Sequence, residues 1–179
     1  MRLAAFIFAL LLPAAAWAAP PQPLDALFAQ LRAAQSPEDA KPIEEQILTL
    51  FRQSGSPSVD LLMARAAAAE AAGDKDTARQ LVDAVTDIAS KYAEGWHSRA
   101  VLQSGAGDDE GAMVSLQKAI ALNPRQFEAM AQFGELLEAY GDKAGALKMY
   151  RRARALDPQL EGLQRHIDAL SRAVEGQGI

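Results

Sequence analysis

The segment Gly73–Ala78 reads GDKDTA, Gly107–Ala112 reads GDDEGA, and Gly141–Ala146 reads GDKAGA. Both steps between these segments are 34 residues long, and each segment begins with glycine and aspartate and ends in alanine. A fixed period of this length is typical of an array of structural repeats. Glycine adopts the left-handed conformation that ends one helix, and aspartate caps the start of the next. The sequence therefore predicts three interhelical turns in a repeating all-α chain.

Small and large apolar residues repeat with the same period on both sides of these turns. Small residues recur at the predicted helix crossings, at Ala66, Ala100 and Gly134 before the turn and at Ala78, Ala112 and Ala146 after it. Large residues recur at Leu62, Trp96 and Met130 and again at Val82, Leu116 and Tyr150. We expect the small residues to let paired helices approach closely. We expect Trp96, Met130, Leu116 and Tyr150 to fill the spaces between units.

This pattern resembles the tetratricopeptide repeat, a 34-residue helix-turn-helix unit with the sequence pattern W-x2-L-G-x2-Y, A-x3-F and P. The prolines correspond to Pro124 and Pro158, which end two of the three units. The chain departs from the pattern at Arg65 and Arg99, where leucine is most frequent, and at Gln103, where tyrosine is usual. The resemblance implies three repeats, at residues 59–92, 93–126 and 127–160, in a right-handed α-solenoid.

Helices are also predicted on both sides of the repeats. Apolar residues at helical spacing from Leu24 to Leu31 and from Ile43 to Phe51 indicate a helical pair within residues 19–58. We interpret this pair as a degenerate repeat or an amino-terminal cap. A stripe of apolar residues after the repeats indicates a capping helix within residues 161–179, as the ends of such arrays require.

Residues 1–18 have the outline of a secretory signal peptide. Arg2 precedes an apolar run, and Ala16 and Ala18 form the A-x-A pattern that cleavage prefers. We expect cleavage after Ala18 and export to a bacterial periplasm, with no membrane span in the mature chain. The alternative is an uncleaved anchor helix. Pro13 and the prolines that follow it oppose this alternative, because a spanning helix needs about 20 apolar residues.

Composition and motifs argue against several classes of function. With 18 basic and 23 acidic side chains, the net charge of -5 is opposite to that expected of a nucleic-acid-binding protein. Without cysteine the chain has no thiol nucleophile and no thiolate ligand for zinc. His97 and His166 lie on different predicted helices and lack a ligand partner four residues away, so we predict no metal site and no cofactor. We interpret the protein as non-enzymatic. The rival interpretation is an enzyme or small-ligand binder that uses His97 and nearby acids.

The resemblance also implies a binding groove. In tetratricopeptide-repeat proteins the first helices of successive units line a concave surface, where ligands usually touch the second, fifth, ninth and twelfth positions of each unit. In this chain these positions include Asp60, Met63 and Glu70, then Glu94, His97 and Val101, then Glu128, Glu135 and Glu138. Family members that grip a carboxyl-terminal peptide tail use lysine, arginine and asparagine in the groove, so such a clamp is not expected here. We expect the partner to be another protein that offers a basic or mixed basic–apolar segment.

Two alternatives remain open at this point. Asp60, Glu94 and Glu128 each lie in the first turn of a predicted helix, where a negative charge is favourable without any ligand. The protein could also be a self-associating envelope assembly subunit, in which the groove or the capping helix pairs with another copy. The sequence does not predict the oligomeric state.

Overall fold

The computed structural model describes residues 24–176, and these residues form a succession of helices without a β-strand. The helices are α1 (Leu24–Ala33), α2 (Pro37–Phe51), α3 (Pro57–Ala71), α4 (Lys75–Ile88), α5 (Ala93–Ser104), α6 (Asp109–Leu122), α7 (Phe127–Ala139), α8 (Lys143–Leu156) and α9 (Leu163–Glu175). The predicted all-α solenoid is confirmed. Within residues 24–176 no helix combines the length and the apolar character needed to cross a membrane. The predicted signal segment, residues 1–18, lies outside the described residues.

The pairs α3–α4, α5–α6 and α7–α8 share one turn geometry. Gly73, Gly107 and Gly141 have φ angles of 80°, 80° and 84°, in the left-handed region that glycine adopts without steric cost. The aspartate after each glycine accepts a hydrogen bond from a backbone N–H three residues later, at 3.1, 3.0 and 2.8 Å. The repeated Gly-Asp dipeptide therefore ends one helix and caps the next.

Small residues lie where the two helices of each pair cross. Ala78, Ala112 and Ala146 are fully buried, and Ala66 and Ala100 are nearly so. A methyl side chain at these positions lets the two helix axes approach closely, since little side-chain volume separates the backbones. Alanine therefore stabilises each unit in two ways, through close packing of the helices and through its high helix propensity.

The large residues of the repeat pattern differ in their surroundings. Met130 is buried in the apolar core, whereas Trp96 is half-buried and donates its indole N–H to the carbonyl of Ser90 at 3.0 Å. Tyr150 is buried against Gly134, on the partner helix of its own unit. The missing Cβ of Gly134 leaves room for the Tyr150 ring inside the unit, and the same ring lies 5.0 Å from the ring of His166 on the next helix, α9.

Helices α1 and α2 form an amino-terminal hairpin that lies against the second and third repeat units. Phe28 is buried, and its ring meets the ring of Phe127 edge to face with 6.4 Å between the centroids. Asp25 forms an ion pair with Arg125 at 2.6 Å. The carbonyl of Ala34 accepts a hydrogen bond from the side-chain amide of Gln159 at 3.2 Å. The hairpin is thus held to the loops that precede α7 and α9.

This position differs from the stacked repeat or cap predicted for residues 19–58. Among the described helices, α2 does not pack along α3 as α4 packs along α5. The outward surface of α3 offers one large apolar side chain, Leu61, beside Arg65 and Ala68, all of them exposed. Phe127 offers Phe28 an aromatic ring in edge-to-face geometry, which stabilises the pair beyond the area that it buries and favours the observed position.

Helix α9 closes the carboxyl-terminal end of the array. It begins after Gly162, whose φ of 77° turns the chain sharply out of α8. Leu163, Ile167 and Leu170 are buried by this packing. The described end of the solenoid is therefore covered by one amphipathic helix, as the apolar stripe in the sequence indicates.

Candidate functional site

The first helices of the three units, α3, α5 and α7, present the surface that is called the groove below. It contains two cavities, one at each step between units. The first has a volume of about 140 Å³ and is lined by residues that include Met63, Glu70 and Val101. The second, of about 310 Å³, is lined by Val101, Glu135 and Leu136 among others. Each cavity thus combines apolar walls with a carboxylate from an exposed glutamate.

The predicted groove residues on this open surface differ in how accessible their side chains are to a ligand. Glu70 and Glu135 are exposed, Val101 keeps 38% of its surface accessible, and Met63 is half-buried. Glu138 is already engaged: it accepts a hydrogen bond from the Tyr150 hydroxyl at 3.0 Å and pairs with Nδ1 of His166 at 2.9 Å.

Asp60 stabilises the loop between α2 and α3. Its carboxylate accepts hydrogen bonds from the backbone N–H of Ser54 at 2.9 Å and from the Ser54 hydroxyl at 2.6 Å. These two bonds hold the pKa of Asp60 below its ordinary value. Asp60 therefore has a local structural role, which the position of the residue in the repeat does not reveal.

His97 is largely buried, but its ring still lines the first groove cavity, so its contact with a ligand there stays a prediction. Its side chain lies with Glu94 and Gln126 in a polar cluster at the start of α5 and α7. The Gln126 amide nitrogen donates to Glu94 Oε2 at 2.6 Å and lies 3.3 Å from His97 Nδ1, which is itself 3.5 Å from Glu94 Oε2. The imidazole is buried because Glu94 and Gln126 pack against it inside the protein. In the rival interpretation of His97 as a reactive or ligand-binding group, the imidazole would act from the wall of the first cavity, where it is 5% exposed.

The acids around His97 determine its charge. Burial of the ring disfavours the imidazolium, but the hydrogen bond and charge of Glu94 and the charge of Glu128 outweigh it and raise the pKa of His97. Burial raises the pKa of Glu128, although the positive charges of His97 and Arg52 oppose this shift. Glu94 and Glu128 therefore belong to an internal charge cluster and do not form an open row with Asp60.

The amino-terminal hairpin lies at this end of the groove. The end of α2 and the start of α5 line a common cavity, to which Phe51 and Glu94 contribute. The hydroxyl of Tyr92 donates to the carbonyl of Arg52 at 2.7 Å, and the charge of Arg52 acts on Glu128. The hairpin thus lies beside Glu94 and Glu128, the second-position acids of the second and third units, and Glu94 also lines the first groove cavity.

A pair of acids joins the hairpin to the loop before α9. Asp157 is fully buried; its Oδ1 accepts the backbone N–H of Gln159 at 3.0 Å, and its Oδ2 lies buried without a hydrogen-bond partner among the described residues. Glu44 of α2 faces Asp157. Burial and the charges of Asp157 and Glu128 raise the pKa of Glu44 to about 7, against the opposing charge of Lys41. Burial likewise raises the pKa of Asp157.

Sequence reasoning missed this acid pair. Asp157 precedes Pro158 as Asn123 precedes Pro124, and both side chains accept a backbone N–H two residues later. That local signal predicts a turn residue but not a contact with Glu44, which depends on where the hairpin docks. Within residues 24–176, no three acids or histidines converge closely enough to hold a metal ion.

Comparisons with known proteins give one curated relative and many similar folds. No protein-family model matches the chain. A TPR repeat-containing protein of Rhizobium etli is 32% identical over 110 residues, which are 62% of this chain and 54% of the relative, so the chain spans about half the length of that relative.

Two solved structures have folds similar to that of this chain. The Sgt2 TPR domain from Aspergillus fumigatus has a TM-score of 0.60 at 22% identity, over 68% of this chain and 82% of that domain. The first TPR of Spaghetti (RPAP3), solved with the HSP90 peptide SRMEEVD bound, has a TM-score of 0.60 at 20% identity, over 65% of this chain and 93% of that one.

Proposed function

We propose that this chain, whose 34-residue units are tetratricopeptide repeats, is a non-enzymatic interaction module that binds an extended basic or mixed basic–apolar segment of another protein. The observation that carries the proposal is the pair of successive groove cavities, each with apolar walls and an exposed glutamate, Glu70 in one and Glu135 in the other. An aliphatic side chain would fill such a cavity, and an ammonium or guanidinium group would meet the carboxylate at its edge.

The dimensions of the groove favour a peptide over a small molecule. Small-molecule sites usually enclose about 300–1,000 Å³; the first cavity, of about 140 Å³, lies below this range, and the second, of about 310 Å³, lies at its lower limit. Packed helices lie about 8–10 Å apart. A segment in the polyproline II conformation has three residues per turn and advances about 3.1 Å per residue, so its residues i and i+3 lie on one face about 9 Å apart. Adjacent cavities therefore match side chains three residues apart in such a segment.

The acidic groove of this chain does not suit an acidic peptide of the kind bound in the similar solved structure. The HSP90 peptide seen with the first TPR of Spaghetti, SRMEEVD, carries three acidic side chains. Glu70 and Glu135 would repel such a segment and attract lysine or arginine at the same spacing. This contrast supports a basic ligand for the present chain.

Binding of a labelled model peptide tests the proposal. The probe is a fluorescein-labelled peptide of serine and glycine in which every third residue is replaced, by lysine and by leucine in turn. Its matched control carries glutamate in place of lysine. We expect fluorescence anisotropy to detect the lysine peptide alone, with an affinity that falls as salt is added, because exposed charges are screened.

Charge reversal in the groove locates the binding site. Glu70→Lys and Glu135→Lys should each weaken binding of the lysine peptide severalfold. Asp87→Lys makes the same charge change at an exposed position of α4, outside the groove cavities, and should leave the affinity within experimental error. An equal effect of all three substitutions, or equal binding of the glutamate peptide, would contradict the proposal.

The proposal includes export of the protein to the periplasm. The sequence of residues 1–18 supports it, with one early arginine, an apolar run and Ala16-x-Ala18. Mass spectrometry of the protein from a periplasmic fraction should find an amino terminus at Ala19. Recovery of the protein in the cytoplasm with Met1 or Arg2 at its start would contradict export.

Self-association is a second candidate, which the outward face of α3 favours. Leu61 is 52% exposed, whereas Gly95 and Ala129, the equivalent residues of the next two units, are buried. A second copy of the chain seated on α3 would bury Leu61. Sedimentation velocity should then show dimers that Leu61→Glu dissociates, and a monomer at every concentration would exclude this candidate.

A further inference from the structure

Helix α8 concentrates positive charge in a chain that is acidic as a whole. The chain has a net charge of -5, but α8 contains five basic residues and no acid. They are Lys143, Lys148, Arg151, Arg152 and Arg154. The helix dipole favours only Arg154, which lies in the last turn. Lys148 lies three and four residues before Arg151 and Arg152, a spacing at which like charges destabilise a helix.

The repeat architecture does not account for this charge. The positions of Lys148, Arg151 and Arg152 have equivalents in the second helices of the other two units. These equivalents are Gln80, Asp83 and Ala84 in α4 and Val114, Gln117 and Lys118 in α6. Packing of the units therefore does not require a basic residue at any of the three positions. The three basic residues are a property of the last unit, and they line neither groove cavity.

The same three residues line a cavity between α8 and the end of α9. Its volume is about 460 Å³, and Lys148, Arg151 and Arg152 form part of its wall. Leu147 and Val174 contribute apolar surface to it. Basic side chains beside an apolar wall suit a ligand that combines carboxylates with an aliphatic side chain.

A carboxylate of the chain itself already binds at this cavity. Glu175 places Oε1 2.7 Å from Nη1 of Arg151 and Oε2 3.0 Å from Nη2, the two-point geometry in which arginine binds carboxylates. Arg151 also donates to the hydroxyl of Ser171 at 3.1 Å, so its position is fixed. Neither Lys148 nor Arg152 forms an ion pair with an acid of residues 24–176. Two of the three basic residues thus keep their charge available to a ligand.

We propose that the cavity between α8 and α9 is a second binding site, which takes an acidic segment of another protein. Lys148 and Arg152 lie one helical turn apart and would bind two carboxylates about 5–6 Å apart. An aliphatic side chain beside them would cover Leu147 and Val174. A helix with glutamates four residues apart has this spacing. The site lies outside the groove, and its occupation does not depend on the proposed function.

The charge of the surroundings favours a short protein segment over a larger anionic surface. Outside α8 the chain has 23 acidic and 13 basic side chains. A membrane of anionic lipids or a nucleic acid presents negative charge over an area wider than one cavity and would be repelled by these acids. A short acidic segment meets the basic residues alone.

Binding of an acidic helix tests the second site. The ligand is a fluorescein-labelled alanine-based peptide with glutamate at every fourth position and one leucine between two glutamates, and its control carries glutamine in place of glutamate. We expect fluorescence anisotropy to detect the glutamate helix alone, with an affinity that falls as salt is added. The glutamate control for the groove has one acid in six residues, so it cannot meet two of these basic residues together, and a single exposed ion pair contributes little. No binding of the glutamate helix would overturn the proposal.

Substitutions at the cavity locate the site. Lys148→Glu and Arg152→Glu should each weaken binding of the glutamate helix severalfold. Lys75→Glu makes the same charge change at the exposed start of α4 and should leave it unchanged. Glu175→Gln should strengthen binding severalfold, because it removes the carboxylate that now holds Arg151. Equal effects of the three charge reversals, or weaker binding by Glu175→Gln, would overturn the proposal.

Two further measurements separate this site from the groove and from a membrane site. Glu70→Lys and Glu135→Lys should leave binding of the glutamate helix unchanged, and Lys148→Glu should leave binding of the lysine peptide unchanged. Failure of the lysine peptide alone would contradict the proposed function of the groove, whereas failure of the glutamate helix alone would contradict the second site. Binding of phosphatidylglycerol vesicles that Lys148→Glu abolishes, without binding of the glutamate helix, would show a membrane site and overturn the proposal.

Discussion

The ring of Tyr150 lies directly over Gly134, where a Cβ atom would come within 2.7 Å of Cε1 of the ring. Tyr150 cannot retreat easily, since it is buried and its hydroxyl donates to Glu138. Gly134→Ala should therefore destabilise the protein, because overpacking costs about 1–3 kcal/mol and exceeds the gain in helix propensity of about 1 kcal/mol. Thermal unfolding should show a Tm lower by about 2–4 °C.

Gly105→Ala is the control for this substitution. It makes the same substitution at the C-cap of α5, where the added Cβ would meet only backbone carbonyls, those of Val101 and Leu102 at 3.3 and 3.7 Å, and no buried side chain. We expect an unchanged or slightly higher Tm. If Gly134→Ala behaved like Gly105→Ala, the close packing of Tyr150 on residue 134 would be wrong.

The crossing of α7 and α8 gives a second prediction. Ala146 is fully buried, so the side chain of Ala146→Arg must either separate the two helices or bury a charge. Either outcome should reduce the free energy of unfolding by about 3 kcal/mol. Ala144→Arg, at an exposed position two residues earlier, should change it little. Equal stability of the two variants in urea unfolding would show that the repeat register is misplaced.

The turns of the fold could be predicted from the sequence because their causes are local. Glycine at Gly73, Gly107 and Gly141 permits a positive φ, and the next aspartate caps the following helix, whatever the rest of the chain does. Docking of the hairpin could not be predicted in this way. The partner of Phe28 is Phe127, far along the chain, and a period of 34 residues says nothing about contacts outside the repeats.

The candidate site was only partly predictable for a related reason. Repeat register assigns Met63 and His97 to the same position of successive units, and thus to the same face of the groove. Register does not say which neighbours cover that face. His97 and Met63 line the same cavity, but Glu94 and Gln126 hold His97 in a buried polar cluster whereas Met63 stays half-buried, because the residues around the two positions differ between the units.

The buried histidine provides a prediction on pH dependence. The pKa of His97 is raised, because the hydrogen bond and charge of Glu94 and the charge of Glu128 outweigh the burial of the ring. The stabilisation from this cluster is complete below about pH 6.5, the ordinary pKa of histidine, and is lost as the pH rises through the raised value. An NMR titration of the imidazole C–H signal should give a midpoint above 6.5 for His97.

Two variants identify the group that titrates and the cause of its shifted pKa. His166→Asn removes the other histidine and leaves a single imidazole signal, which assigns the midpoint to His97. Glu94→Gln should lower that midpoint, since the neutral amide no longer attracts the imidazolium. A midpoint below 6.5, or one that Glu94→Gln does not move, would show that burial and not Glu94 governs the charge of His97.

The last prediction concerns the separate stability of the hairpin. Phe28 is buried and meets Phe127 of the repeats edge to face, so Phe28→Ala should remove about 3–5 kcal/mol of docking. Hydrogen exchange should then lose protection in α1 and α2, while α5 to α8 keep theirs, because their helices pack on one another without the hairpin. Arg32→Ala, at an exposed position of α1, should leave all protection unchanged. Loss of protection throughout the repeats in Phe28→Ala would mean that the hairpin is an integral part of the core.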